Sequence, residues 1–168
     1  HIKHIVSIST VLRDSFRFFF LAAIPSYFLS TLWAHLPVWL YAIVIIAAIL
    51  QVIGWSFFLR VMYMYKDQLK TTFSKTACFL FLIIGSALSI KLLLQLGSTI
   101  PWVSKLAFGF RPIVIAYLHL VLLVIISLFL LTFMYISGLL QHSKRTTLAL
   151  VGFTSGIILN ETVLSIQG

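Results

Sequence analysis

The chain has 168 residues, of which 61% are hydrophobic and 9% charged. Soluble domains carry about 45–50% apolar and about 25% charged residues, so this chain cannot cover itself with polar surface, and a soluble globular domain is excluded. Twelve Lys and Arg stand against three acids, a net charge of +9. No basic groove with interleaved aromatic residues lies outside the apolar runs, so the charge points to anionic lipid and cytoplasmic loops rather than to nucleic acid.

Residues 1–15 alternate weakly between apolar and polar and read as the end of a preceding helix. A membrane-crossing helix needs about 20 mostly apolar residues. Five runs meet that length, at 16–34, 38–59, 76–97, 112–138 and 148–167. They predict an all-α fold, a polytopic transmembrane helical bundle of about five spans forming one domain over 1–168. Barrel strands alternate over about ten residues, whereas these runs are continuous, so strands are not expected.

The breaks between runs have physical causes. Pro25 should kink the first span. Pro37 marks the first hairpin turn, with Trp33, Trp39 and Tyr41 as an interfacial aromatic belt. Residues 60–75 carry Arg60, Lys66, Asp67, Lys70 and Lys75 and predict a polar connection. Gly97 to Trp102 ends the third span, Arg111-Pro112 opens the fourth, and Gln141 to Arg145 forms the last short loop.

With five spans, nine cations fall on one side (Lys3, Arg13, Arg17, Arg60, Lys66, Lys70, Lys75, Lys144 and Arg145) and two on the other (Lys105 and Arg111). The positive-inside rule then predicts a cytoplasmic N-terminus and an outside C-terminus in a bacterial inner membrane. The chain begins at His1 with no signal-peptide pattern and stops at Gly168, directly after an apolar run. Both features predict a piece of a longer protein.

Each span carries polar or small residues at helical spacing. Ser26 and Ser30 lie four apart in the first, and Ala47, Gln51 and Trp55 share a face of the second. Ala87, Lys91, Gln95 and Ser98 line the third. In the fifth, Gly152 and Gly156 form a GxxxG pair followed by Asn160. Such faces turn toward other helices, because small residues allow close approach and polar groups seek partners.

Counting from the cytoplasmic ends, Lys91 lies about 22 Å up its span and Glu161 about 20 Å up the last. His119 lies about 10 Å below the outer end of its own span. Lys91, Gln95, His119, Asn160 and Glu161 therefore share a level and form a candidate intramembrane polar cluster, with Lys91 and Glu161 as natural ion-pair partners. Other uses stay open at this point: Lys91 snorkelling to the outer interface, Glu161 at the interface, and His119 as a neutral core histidine or a weak metal or haem candidate.

The single cysteine, Cys78, supports neither an internal disulfide nor a CxxC site. His1, His4, His35 and His142 are scattered, so these histidines alone do not make a multi-histidine metal centre. HExxH, P-loop, GxGxxG and GxSxG sequences are absent, and the chain is not expected to be catalytic on its own.

The runs Ile24 to Ala34 and Phe108 to Leu120, with Leu94-Gln95-Leu96 ahead of Ile100-Pro101, resemble the C-terminal half of a group of uncharacterised bacterial polytopic membrane proteins. Those proteins look like remote relatives of haem-copper oxidase catalytic subunits. The resemblance implies a longer parent bundle, with haem possible there and its ligands mainly upstream of this chain. The paired HxH of true oxidases is lacking, and Lys91 with Gln95 stands where such ligands would be sought.

The expected function is thus an integral membrane domain, a cofactor-supporting or structural part of a haem-copper-like protein. The alternative is a transporter or channel domain with a proton or small-solute path lined by Lys91, His119 and Glu161. Its partners are the lipid bilayer and other transmembrane helices of a parent chain or complex.

Overall fold

A computed structural model describes residues 2–26, 37–109, 111–141 and 143–167, which are helical almost throughout, with no strand among them. In chain order the helices are α1 (Ile2–Ser26), α2 (Val38–Met64), α3 (Lys66–Thr72), α4 (Lys75–Gly97), α5 (Pro101–Gly109), α6 (Arg111–His119), a π-helical segment (Leu120–Leu128), α7 (Phe129–Ile136) and α8 (Lys144–Gln167). The segment from α6 to α7 runs on as one apolar rod whose middle is wound with wider turns.

Among the described residues, four helices are long and apolar enough to cross a membrane: Val38–Met64, Lys75–Gly97, Pro112–Ile136 and Lys144–Leu164. At about 1.5 Å per residue each exceeds the roughly 30 Å of hydrocarbon in a bilayer. Their outward faces are apolar: Ile46, Leu82, Leu122, Phe129, Leu148 and Leu159 are all exposed. Surfaces of that kind fit lipid and not water. Of the expected first span, 16–34, helix α1 covers residues up to Ser26, and 27–34 lie outside the described residues, as does Trp33 of the aromatic belt.

Two expected connections are more helical than their composition suggested. The polar stretch 60–75 splits between the end of α2 and α3. Asp67 lies in the first turn of α3 and Lys70 in its last, each complementing the helix dipole. Lys66 Nζ lies 4.4 Å over the Tyr63 ring. The stretch after Gly97 turns through Ser98–Ile100 and starts α5 at Pro101, where a missing N–H costs nothing.

Helix ends follow from local chemistry. Ser74 Oγ accepts the Ala77 N–H at 3.2 Å ahead of α4, and Ser143 Oγ accepts the Thr146 N–H at 3.1 Å ahead of α8. Both are serine N-caps. Helix α7 ends at Ile136, two residues ahead of Gly138, whose φ of 74° is left-handed and favours glycine, and the Leu140 N–H reaches back to the Met134 carbonyl at 3.2 Å.

Contacts gather into two compact units, His1–Lys66 with Leu92–Leu106, and Asp67–Lys91 with Ala107–Gly168. In the first, α2 buries Val44, Ala47, Ala48, Gln51, Gly54 and Val61, a stripe along one side of the helix. Ala47 and Gln51 lie within it, and Trp55 is half-buried beside it. Helix α1 packs antiparallel on α2: Ser15 Oγ donates to the Gly54 carbonyl at 2.7 Å, Phe18 stacks on Phe57 at 6.0 Å, and Leu21 and Pro25 meet Ile43 and Ile46.

Glycine at 54 is required by this approach, since an added Cβ would sit 3.0 Å from Phe18 Cβ and 3.2 Å from the Ser15 carbonyl oxygen. Gly54→Ala is therefore expected to destabilise the fold by about 1 kcal/mol, and Gly85→Ala, with nothing within 4 Å of its Cβ, to leave it unharmed. Detergent-driven unfolding of the two variants checks the difference.

The second unit is built around Leu80, Ile84 and Ala87 of α4, Val124 and Leu128 of the π-helical segment, Tyr135 of α7, and Leu150 and Ile157 of α8. Buried hydroxyls are satisfied within their own helices. Thr132 Oγ1 donates to the Leu128 carbonyl and Thr154 Oγ1 to the Leu150 carbonyl, both at 2.7 Å.

Candidate functional site

Helix α8 presents two different faces. Leu150, Thr154, Ile157 and Glu161 step by four, three and four along its inner side, the first three buried and Glu161 half-buried. Gly152 and Gly156 lie on another side, exposed, with nothing within 4 Å of an added Cβ. Among the described residues, the GxxxG pair is thus not where α8 meets its neighbours. The β-branched Thr154 and Ile157, rather than the glycines, carry its packing.

At the upper end of the inner stripe, α8 meets α6, the π-helical segment's entry turn, through polar groups. Asn160 Nδ2 lies 3.2 Å from His119 Nδ1. An amide nitrogen can only donate, so Nδ1 accepts and the ring hydrogen sits on Nε2. Glu161 Oε1 lies 3.9 Å from the same Nδ1, with the imidazole 38% and the carboxylate 18% exposed. The site is partly sheltered, and the amide and the carboxyl group converge on one ring nitrogen.

His119 closes α6 immediately before the π-helical segment. Wider turns are rare in proteins and are frequent at functional sites. The hydroxyl of Ser127 donates to the Leu122 carbonyl five residues back, at 2.8 Å, following the wide winding. No residue type in Leu120–Leu128 announces this geometry, since the stretch is uniformly apolar apart from Ser127.

Of the five expected cluster residues, His119, Asn160 and Glu161 come together in the second unit. Lys91 belongs to the same unit, half-buried on α4. Gln95 belongs to the first unit, where its Nε2 donates to Gln51 Oε1 at 2.6 Å, both amides being buried. Nearby in that unit the Tyr41 hydroxyl donates to the Thr99 carbonyl. Gln51 is thus the partner that depth along the spans did not reveal, because depth does not say which helices adjoin.

No family model, curated protein or solved structure matches this chain.

The haem or metal that the haem-copper resemblance implies would need several donors in one place. Among the described residues no three of His, Cys, Asp and Glu gather in one place. His119 is the one imidazole placed beside an acid among the described residues, and a single imidazole with one carboxylate does not make up the donor set of such a group. An imidazole and a carboxyl group 3.9 Å apart are a pair able to exchange a proton.

Proposed function

We propose that this chain is a domain of a polytopic inner-membrane protein in which His119, Asn160 and Glu161 hold and pass a proton inside the bilayer. The observation that supports this most directly is the convergence of an amide and a carboxyl oxygen on His119 Nδ1, at 3.2 and 3.9 Å. Ionisable groups are costly at membrane depth and mark proton or ion paths when they face a partner.

In this reading the bundle has five spans, with 16–34 as the first, and the excess of cations keeps the N-terminus and the 60–75 connection in the cytoplasm. The proton site serves a larger membrane protein of the kind that haem-copper-like proteins exemplify. Lys91 balances charge in the same unit when Glu161 is ionised.

Asn160 holds the ring so that Nδ1 faces α8. A proton arriving at Glu161 passes to Nδ1, the amide turns its oxygen toward the new N–H, and the proton on Nε2 leaves from the other side of the ring. Proton uptake into liposomes holding the purified chain, followed with an enclosed pH dye under an imposed potential, tests the reading.

A further inference from the structure

In the first unit, α1 and α2 leave an apolar groove of about 110 Å³ between them. Its floor is Ala22 and Ala47, both fully buried, and its walls are Leu21, Pro25, Ile43, Ile46 and Leu50. It opens sideways into what is hydrocarbon in the membrane reading.

A row of cations continues the groove at one end. Arg13, Arg17 and Leu21 follow one another at four-residue steps on α1, each turned about 40° from the next, with Arg17 about 6 Å along the axis from Leu21. The antiparallel packing that sets Ser15 beside Gly54, and Leu21 and Pro25 beside Ile43 and Ile46, carries Arg60 of α2 toward the same end. All three arginines are exposed. Asp14 is the acid among them, and its 3.7 Å contact with Arg17 joins two exposed side chains, 50% and 62%, a weak pair that leaves the guanidinium able to bind another anion.

A slot lined only by hydrocarbon, ending at arginines where the chain meets the headgroup region, matches one kind of molecule in both its parts. We infer that the α1–α2 groove is a binding site for an anionic phospholipid. One acyl chain lies over Ala22 and Ala47, and the phosphate and its neighbouring headgroup charge are held by Arg17 and Arg13, with Arg60 about a turn further along the same end. Arginine suits the task because its planar fork can bind two phosphate oxygens at once. The site is separate from His119 and does not depend on the proton reading.

The test is native mass spectrometry of the purified chain in detergent, titrated in parallel with phosphatidylglycerol and phosphatidylcholine of the same acyl chains. The wild type is expected to bind phosphatidylglycerol more tightly, by about fivefold for each engaged arginine. The exposed double variant Arg13→Gln/Arg17→Gln should lose that preference while binding phosphatidylcholine as before, and Asp14→Asn should increase it.

Ile43→Trp, placed on the groove wall at a partly exposed position, should weaken both lipids together. Equal binding of the two lipids by the wild type, or an unchanged preference in the double arginine variant, would overturn the assignment. So would binding of both lipids unaltered by Ile43→Trp, which would leave the arginines as a headgroup contact without a groove.

Discussion

Liposomes holding Glu161→Gln are expected to take up protons at least about tenfold more slowly than those holding the wild-type chain. Positioned acid–base groups contribute about 10²–10⁴-fold to proton-transfer steps, and a proton path with one member missing loses most of that. The amide of glutamine keeps the shape of the side chain, but it carries no exchangeable acid proton to give to His119 Nδ1, 3.9 Å away in the wild type.

His119→Ala should reduce uptake to the same extent, and the double variant should be no slower than either single one. That non-additivity is the signature of two residues acting as one unit. Asn160→Leu should have a smaller effect, because it removes the group that aims the ring and not the groups that carry the proton. If the single losses multiply in the double variant, or if uptake is unaltered in both, His119 and Glu161 do not share a proton path.

The second large effect is expected at the buried amide pair of the first unit. Gln95→Leu should destabilise the chain by about 1–2 kcal/mol, since it strands the Gln51 amide at a position only 6% exposed. In hydrocarbon there is no water to take the place of the lost partner, although hydrogen bonds measured between membrane helices are often worth only about 0.6 kcal/mol net.

Gln51→Leu should cost a similar amount for the mirror-image reason. The double variant Gln51→Leu/Gln95→Leu should recover most of the loss, because two leucines fill the space and leave nothing unsatisfied. Unfolding of the four proteins by SDS in mixed micelles gives the coupling. A double variant as weak as the sum of the singles would mean that the amides stabilise their helices separately.

Much of the architecture was legible because hydrocarbon imposes a length on every helix that crosses it. The apolar runs at 38–59, 76–97, 112–138 and 148–167 correspond to helices with ends shifted by a few residues. Some of those shifts come from serines. Ser74 and Ser143 cap α4 and α8 through their own hydroxyls, a signal present in the sequence as a serine just ahead of each apolar run. Helix α5 was less visible, since Pro101 to Gly109 is too short to leave a periodic trace.

The candidate site was legible in part and for a different reason. Depth along a helix axis follows from counting, and it grouped His119 with Asn160 and Glu161, which the structure brings into contact. Counting gives no bearing around the axis. Gln95 stands at a similar depth yet meets Gln51, and Gly152 with Gly156 matches a packing motif yet lies on an open face. Bearing depends on which neighbours each helix finds, and for His119 it also depends on the wide winding that follows it.

That winding gives the chain a phase setting. Each residue of an α-helix advances the bearing by about 100°, and each residue of the wider coil advances it less. The nine residues Leu120–Leu128 therefore fix the angle at which α6 is mounted on α7, by their number as much as by their identity. Removing one of them would swing the imidazole away from α8 while leaving hydropathy, charge and every side chain of the site intact, so in this stretch the gap-free length of the chain is itself a functional quantity.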